Sequence, residues 1–77
     1  MEQPKPPRHY DIERNFTYHP PKPEDAPKFA FIRDDVKYAA ATIMEMCPDS
    51  PERTLALRKL EEAVMWANAS IARDLPV

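Results

Sequence analysis

The chain has 77 residues and a formal net charge of −2, so it has room for one small domain and lacks the basic surface of a nonspecific nucleic-acid or membrane binder. No apolar run approaches the ~20 residues of a membrane span. Ten prolines and no glycine exclude the glycine-rich loops that hold phosphates or dinucleotides. The single cysteine, Cys47, cannot form an intramolecular disulfide, which favours a reducing cytoplasm. Because chains this short often need disulfides, a metal or association for stability, we expect oligomerisation.

Residues 1–23 are predicted to form a proline-rich, extended arm that precedes a helical hairpin domain at residues 24–75. Six of the ten prolines fall in this arm and exclude a long helix there. We expect residues 1–11 to be flexible, with Met1 to Pro7 disordered. Residues 12–20 carry aromatic side chains that a flexible tail usually lacks, so we expect them to dock on the folded part of the chain.

The first long helix is predicted to begin near Glu24, because apolar residues then recur at spacings of three and four. Pro27 is tolerated in the first helical turn. The helix should end at Cys47, because Pro48 disfavours helical geometry in the residue before it. We expect Cys47 to be a packed thiol at the end of the apolar stripe. The members of this stripe are Phe29, Ile32, Val36, Ala39, Ala40, Ile43 and Cys47.

A second long helix is predicted to begin directly after this break. Asp49 or Ser50 can cap it, Pro51 fits its first turn, and Glu52 lies three residues after Asp49 as in a capping box. Its apolar stripe ends before Pro76 and consists of Leu57, Leu60, Val64, Ala67 and Ile71. The predicted fold class is therefore all-α, with two long antiparallel helices.

Each predicted helix also carries apolar side chains on the face away from its main stripe. A two-helix hairpin offers one partner surface per helix, so a monomer would leave these side chains in water. We expect them to form contacts between the subunits of a homo-oligomer. The alternative is that the arm covers one of these faces, and both can hold. The residues predicted at the oligomer interface are Phe31, Tyr38, Leu55, Trp66 and Ala69.

No combination of residues makes a convincing catalytic or metal-binding set. Cys47 and Ser70 are the candidate nucleophiles, with His9 and His19 as the candidate bases. No cysteine or third histidine lies near enough to the two histidines to complete a set of metal ligands. We expect no enzyme activity, no metal site and no cofactor.

The residues offer more to an anionic aromatic ligand, which needs a ring to stack on and cations in a fixed geometry. Tyr18 and Phe16 supply rings, while Arg33 and Lys37 are spaced i, i+4 and can point at one anion. Arg73 is a further candidate cation. From these arguments alone, charge pairing of Arg33 and Lys37 with nearby carboxylates is the stronger interpretation, and Tyr18 has packing as its alternative role.

Two stretches of the sequence resemble a known family. One is Cys47-Pro48-Asp49-Ser50, continued by the run from Glu52 to Ala69 and by Ile71-Ala72-Arg73. The other is the arm motif Phe16-Thr17-Tyr18-His19-Pro20-Pro21, with Ile32-Arg33 following it. Over residues 14–74 the chain is similar to the phage anti-CBASS sponge proteins, which share a helical-hairpin domain with the Thoeris anti-defence proteins. The proline-rich aromatic stretch before Phe16 has no counterpart in this resemblance.

The resemblance implies that the chain sequesters cyclic oligonucleotide messengers in the cytoplasm of the infected bacterial host without cleaving them. The implied ligands are cyclic dinucleotides such as 3′,3′-cyclic GMP-AMP and, in a different pocket, cyclic trinucleotides. The implied assembly is a homohexamer with pockets between protomers, and neither DNA nor a membrane is an expected partner. Two alternatives stay open: a sponge for the cyclised ADP-ribose messengers of Thoeris, and a structural or protein-binding module.

Three ligand-binding residues are implied by the family motifs, and two more are added. Tyr18 is expected to stack on a base of the cyclic dinucleotide, and Arg33 to meet a phosphate. Arg73 is expected at the pocket for the larger cyclic trinucleotides. Lys37 and His19 are added from their positions alone.

Overall fold

The computed structural model describes residues 10–74 and places them in helices with short connections. The helices are α1 (Ile12–Phe16), α2 (Ala26–Met46) and α3 (Pro51–Ala72), and a single 3₁₀ turn at Pro23–Asp25 leads into α2. The described part of the chain contains no strand, which confirms the all-α prediction. Residues 1–9, including the disorder predicted for Met1 to Pro7, lie outside the described residues.

The short helix α1 was not expected, because the arm was predicted to be extended throughout. The Asp11 side chain caps α1 by accepting a hydrogen bond from the backbone N–H of Arg14 at 3.1 Å. Asp11 was placed in the flexible part of the arm, yet here it starts a helix. The backbone returns to an extended conformation at Thr17. A single helical turn fits here because no proline occurs between Pro7 and Pro20.

The first long helix, α2, follows the predicted boundaries closely. Pro27 lies in its first turn, and it ends at Met46 with Cys47 in an extended conformation, as expected before Pro48. Cys47 is exposed, so the prediction of a packed thiol is wrong. Its backbone has already left the helix, and its side chain therefore does not continue the apolar stripe.

Ser50, rather than Asp49, caps the second long helix. The Ser50 hydroxyl accepts a hydrogen bond from the backbone N–H of Arg53 at 3.1 Å. The third residue after this cap is Arg53 and not Glu52, so the predicted capping box does not form. Asp49 instead pairs with the Arg53 guanidinium at 3.1 Å.

The two long helices pack against each other as an antiparallel hairpin, with the start of α2 beside the end of α3. The predicted stripe residues within the helices are half-buried along this contact. No apolar residue in the range 10–74 is fully buried, because each helix has one neighbour only. The core of the single chain is therefore incomplete.

The second apolar faces are exposed, as the sequence predicted for a single chain. Phe31 is 70% exposed and Trp66 is 62% exposed, while Ala69 is half-buried. Tyr38 and Leu55 are also exposed. No helix within residues 10–74 is both long and apolar enough to span a bilayer. The oligomer stays a prediction.

Candidate functional site

The arm is joined to the end of α3 at two points, and the first is a contact between Arg73 and Asn15. The guanidinium of Arg73 lies 3.3 Å from the side-chain oxygen of Asn15 and 3.5 Å from its backbone oxygen. Arg73 is itself held at the end of α3, where its backbone N–H donates to the carbonyl of Ala69 at 2.9 Å. The predicted ligand-binding residue Arg73 thus already contacts α1.

The second point is Lys22, whose ammonium group donates to the backbone carbonyl of Asp74 at 2.7 Å. The same Nζ lies 3.4 Å from Oδ2 of Asp25, an ion pair without hydrogen-bond geometry. Lys28 approaches the other oxygen of Asp25 at 3.2 Å. Asp25 is only 2% exposed, and a buried carboxylate needs such cationic partners to remain charged at low cost. This cluster fixes the arm at the start of α2.

Tyr18 lies between these two points and is 81% exposed. A role as a packing anchor within this chain is therefore not what the structure shows. The neighbouring His19 donates from Nε2 to the carbonyl of Arg14 at 2.6 Å, which places a ring proton on Nε2. His19 thus satisfies a free carbonyl at the end of α1, and its role in ligand binding stays a prediction.

Arg33 and Lys37 lie on the rim of a groove along the hairpin, with a volume of about 670 Å³. The groove has a mainly apolar floor that includes Val36, Leu60 and Val64. Neither cation forms an ion pair with a carboxylate of residues 10–74, so the alternative role in charge pairing within the chain is not observed. Both side chains are exposed, and their i, i+4 spacing brings them to the same groove.

A second cleft, of about 530 Å³, lies between the arm and the last turns of α3. The rings of Tyr10 and Phe16 are 6.4 Å apart at its arm side, and Trp66 lines its helix side. Arg14 and Arg73 contribute positive charge. The arm therefore lies beside the face with Trp66, but it leaves Trp66 62% exposed and does not cover that face within the chain.

The candidate residues form separate groups in one chain. Arg33 and Lys37 line the hairpin groove, Arg73 lines the arm cleft, and Tyr18 lines neither of them. Sequence reasoning missed the residues that organise the arm, which are Arg14, Asn15 and Lys22. Within residues 10–74 no cluster of metal-ligating side chains occurs.

The sequence model of the family described as "Acb2/Tad1, hairpin domain" matches residues 9–72. The chain belongs to the Acb2/Tad1 hairpin family. This confirms the resemblance, since the family consists of the anti-CBASS and anti-Thoeris sponge proteins. The match also includes residues 9–13, for which the resemblance had no counterpart. Comparisons with curated proteins and with solved structures gave no match.

Membership of the Acb2/Tad1 family gives the chain an anti-defence sponge role in broad terms. Members of this family sequester messenger molecules and are not enzymes. The ligands that the family implies are cyclic oligonucleotide messengers. An exposed ring on the arm and two cations on a groove rim have the chemistry to bind bases and phosphates.

Proposed function

We propose that this Acb2/Tad1 protein binds cyclic dinucleotides such as 3′,3′-cyclic GMP-AMP without cleaving them, and so blocks CBASS immunity. It acts in the cytoplasm of the infected bacterial host. The observation that carries the proposal is the exposed ring of Tyr18 on an arm that is fastened to the hairpin. An exposed aromatic ring held on an ordered segment offers a flat surface on which a nucleobase can stack.

Tyr18 stacks on a base, while Arg33 and Lys37 contact the phosphates. The guanidinium of Arg33 can donate two parallel hydrogen bonds to one phosphate, whereas Lys37 acts as a point charge. Local cations at contact distance outweigh the net charge of −2 of the whole chain, because distant exposed charges are screened by salt.

The binding pocket is completed between protomers. Tyr18 lies outside the groove that Arg33 lines, and this supports a site that takes the ring from one chain and the cations from another. The exposed apolar faces with Phe31 and Trp66 support association of the chain with itself. We propose a homohexamer, the assembly that the sequence resemblance implies.

Cyclic trinucleotides bind at a different pocket that includes Arg73. Support comes from the charge of the arm cleft, where Arg14 and Arg73 both lie beside aromatic rings. The contact between Arg73 and Asn15 does not use all five N–H donors of the guanidinium, so donors remain for a phosphate.

A second candidate is sequestration of the cyclised ADP-ribose messengers of Thoeris, since the matching family model covers both groups of sponges. Such a ligand also combines a base with phosphates. A third candidate is a structural or protein-binding module, which the exposed apolar faces would equally suit.

Isothermal titration of the purified protein separates these candidates. We expect submicromolar binding of 3′,3′-cyclic GMP-AMP, weaker binding of cyclised ADP-ribose, and full chromatographic recovery of intact ligand after denaturation of the protein. A cleaved product would overturn sequestration. Tighter binding of cyclised ADP-ribose would favour the Thoeris ligand, and binding of neither compound nor of a cyclic trinucleotide would favour the structural module.

A further inference from the structure

The two attachment points of the arm are adjacent residues at the end of α3. Arg73 holds Asn15, and the carbonyl of Asp74 holds Lys22. These contacts join residues that lie 58 and 52 positions apart in sequence. The segment 15–22, which contains Tyr18, is therefore attached at both of its ends to the same part of the hairpin, the end of α3.

The part of this segment between Tyr18 and Lys22 is stiff. Pro20 and Pro21 each have a fixed φ angle, and so does Pro23, which directly follows Lys22. Proline also restricts the residue before it, which here includes His19. Because few backbone torsions remain free, the position of Lys22 constrains the position of Tyr18.

The other side of Tyr18 is constrained by α1. His19 donates to the carbonyl of Arg14 at 2.6 Å and folds the chain back on this short helix. Asn15, within the same helix, is held by Arg73. Tyr18 makes little contact of its own, since its ring is 81% exposed, so its placement depends on these neighbours.

Lys22 forms the shorter of the two attachments, at 2.7 Å to Asp74 against 3.3 Å between Arg73 and Asn15. Its side chain is 32% exposed, and it lies between the carbonyl of Asp74 and the 2% exposed carboxylate of Asp25. A charge-assisted contact with a buried group is worth more than one between exposed groups. The contact with Asp25 is local, three residues along the chain, and it holds the Lys22 ammonium group within reach of the carbonyl of Asp74.

We infer that Lys22 is a positioning residue for Tyr18, with Arg73 as the second attachment of the same segment. The inference rests on the proposed function, in which Tyr18 stacks on a base. A ring on a loose segment would have to be ordered when ligand binds, and that entropic cost lowers affinity. The attachment at Lys22 orders the segment when the chain folds, so that Tyr18 is preorganised in the free protein.

The test is a double-mutant cycle between Lys22 and Tyr18, measured by titration with 3′,3′-cyclic GMP-AMP. Lys22→Met keeps the length and apolar character of the side chain and should weaken binding about five- to tenfold, the effect of freeing one or two rotatable groups. In the Tyr18→Ala background the same change should have less than about a twofold effect. Lys22→Arg keeps the cation and should restore most of the affinity.

Equal losses in both backgrounds would overturn the positioning role, because Lys22 would then act independently of Tyr18. Thermal denaturation is measured beside each titration, since Lys22→Met disturbs the buried Asp25. Asn15→Ala loosens the other attachment without touching Asp25. It should weaken binding in the wild-type background and should have little effect when Tyr18 is absent.

Hydrogen–deuterium exchange of the ligand-free protein tests the inference independently of the proposed function. Lys22→Met should increase amide exchange at residues 16–19 and leave exchange in the middle of α2 unchanged. Unchanged exchange at residues 16–19 would overturn the inference even if the ligand binds. Failure of the wild-type protein to bind the dinucleotide would overturn the proposed site instead, and the exchange result would still decide whether Lys22 fixes this segment.

Discussion

The guanidinium of Arg53 donates a hydrogen bond to the backbone carbonyl of Met44, which lies 3.3 Å away in the last turn of α2. The same group donates to the carbonyl of Cys47 at 3.4 Å and pairs with Asp49. The final carbonyls of a helix have no partner within the helix, and Arg53 provides one from α3. One side chain therefore ties the hairpin turn to both long helices.

Replacement of Arg53 should destabilise the hairpin. Arg53→Ala removes charge-assisted hydrogen bonds from a half-buried side chain and should lower the free energy of unfolding by about 1–3 kcal/mol. Urea denaturation followed by circular dichroism measures this loss at fixed protein concentration. Arg58→Ala is the matched control, because Arg58 is an exposed arginine of the same helix. Equal losses in the two variants would contradict the role assigned to Arg53.

The helix boundaries and apolar stripes were predictable from the sequence, because they depend on residues close together in the chain. Pro48 ends α2 through a steric effect on Cys47, and spacings of three and four place the stripes on one face. The helix α1 also had a local signal that was overlooked. Asp11 stands where a cap is needed, and no proline interrupts the residues that follow it.

The attachments of the arm could not be predicted in the same way. Lys22 and Asp74, like Asn15 and Arg73, are far apart in the chain, and all four are common surface residue types. No periodicity or spacing relates them. The contact of His19 with the carbonyl of Arg14 was missed for a similar reason, since a histidine suits both a ligand site and the end of a helix.

Loss of the Tyr18 ring should weaken ligand binding without changing the assembly. Tyr18→Ala removes a stacking contact worth about 1–3 kcal/mol and should raise the dissociation constant for 3′,3′-cyclic GMP-AMP about 5- to 150-fold. Tyr18→Phe keeps the ring and should bind within about threefold of the wild type. Because Tyr18 is 81% exposed, the melting temperature should not change. Equal affinities for the alanine variant and the wild type would exclude Tyr18 from the site.

Removal of the Arg33 charge should weaken binding in a manner that depends on salt. Arg33→Ala loses charge-assisted hydrogen bonds to a phosphate and should cost about 1.5–3 kcal/mol of binding free energy. Arg33→Lys keeps the charge but not the planar donor pair, so its affinity should lie between those of the wild type and Arg33→Ala. Titrations at low and high salt should show a smaller salt dependence for Arg33→Ala than for the wild type. An unchanged affinity would place the phosphate elsewhere, with Lys37 as the next residue to replace.

Trp66 decides whether the exposed face of α3 is an interface between subunits. In the single chain this side chain is 62% exposed and lines the arm cleft, so its truncation would cost little in a protein that stayed monomeric. If a neighbouring subunit covers Trp66, the side chain would stabilise the assembly as a buried aromatic side chain does. Trp66→Ala would then cost about 3–5 kcal/mol of stability.

We therefore expect Trp66→Ala to sediment as a smaller species than the wild type at equal concentration, with a melting temperature that falls on dilution. Trp66→Phe retains most of the apolar area and should keep the size of the wild-type assembly. Ser70→Ala is the matched control, since Ser70 lines the same cleft but exposes no large apolar surface. If Trp66→Ala kept both the size and the stability of the wild type, subunits would have to meet through another surface, and Phe31 and Tyr38 on α2 would be the next residues to test.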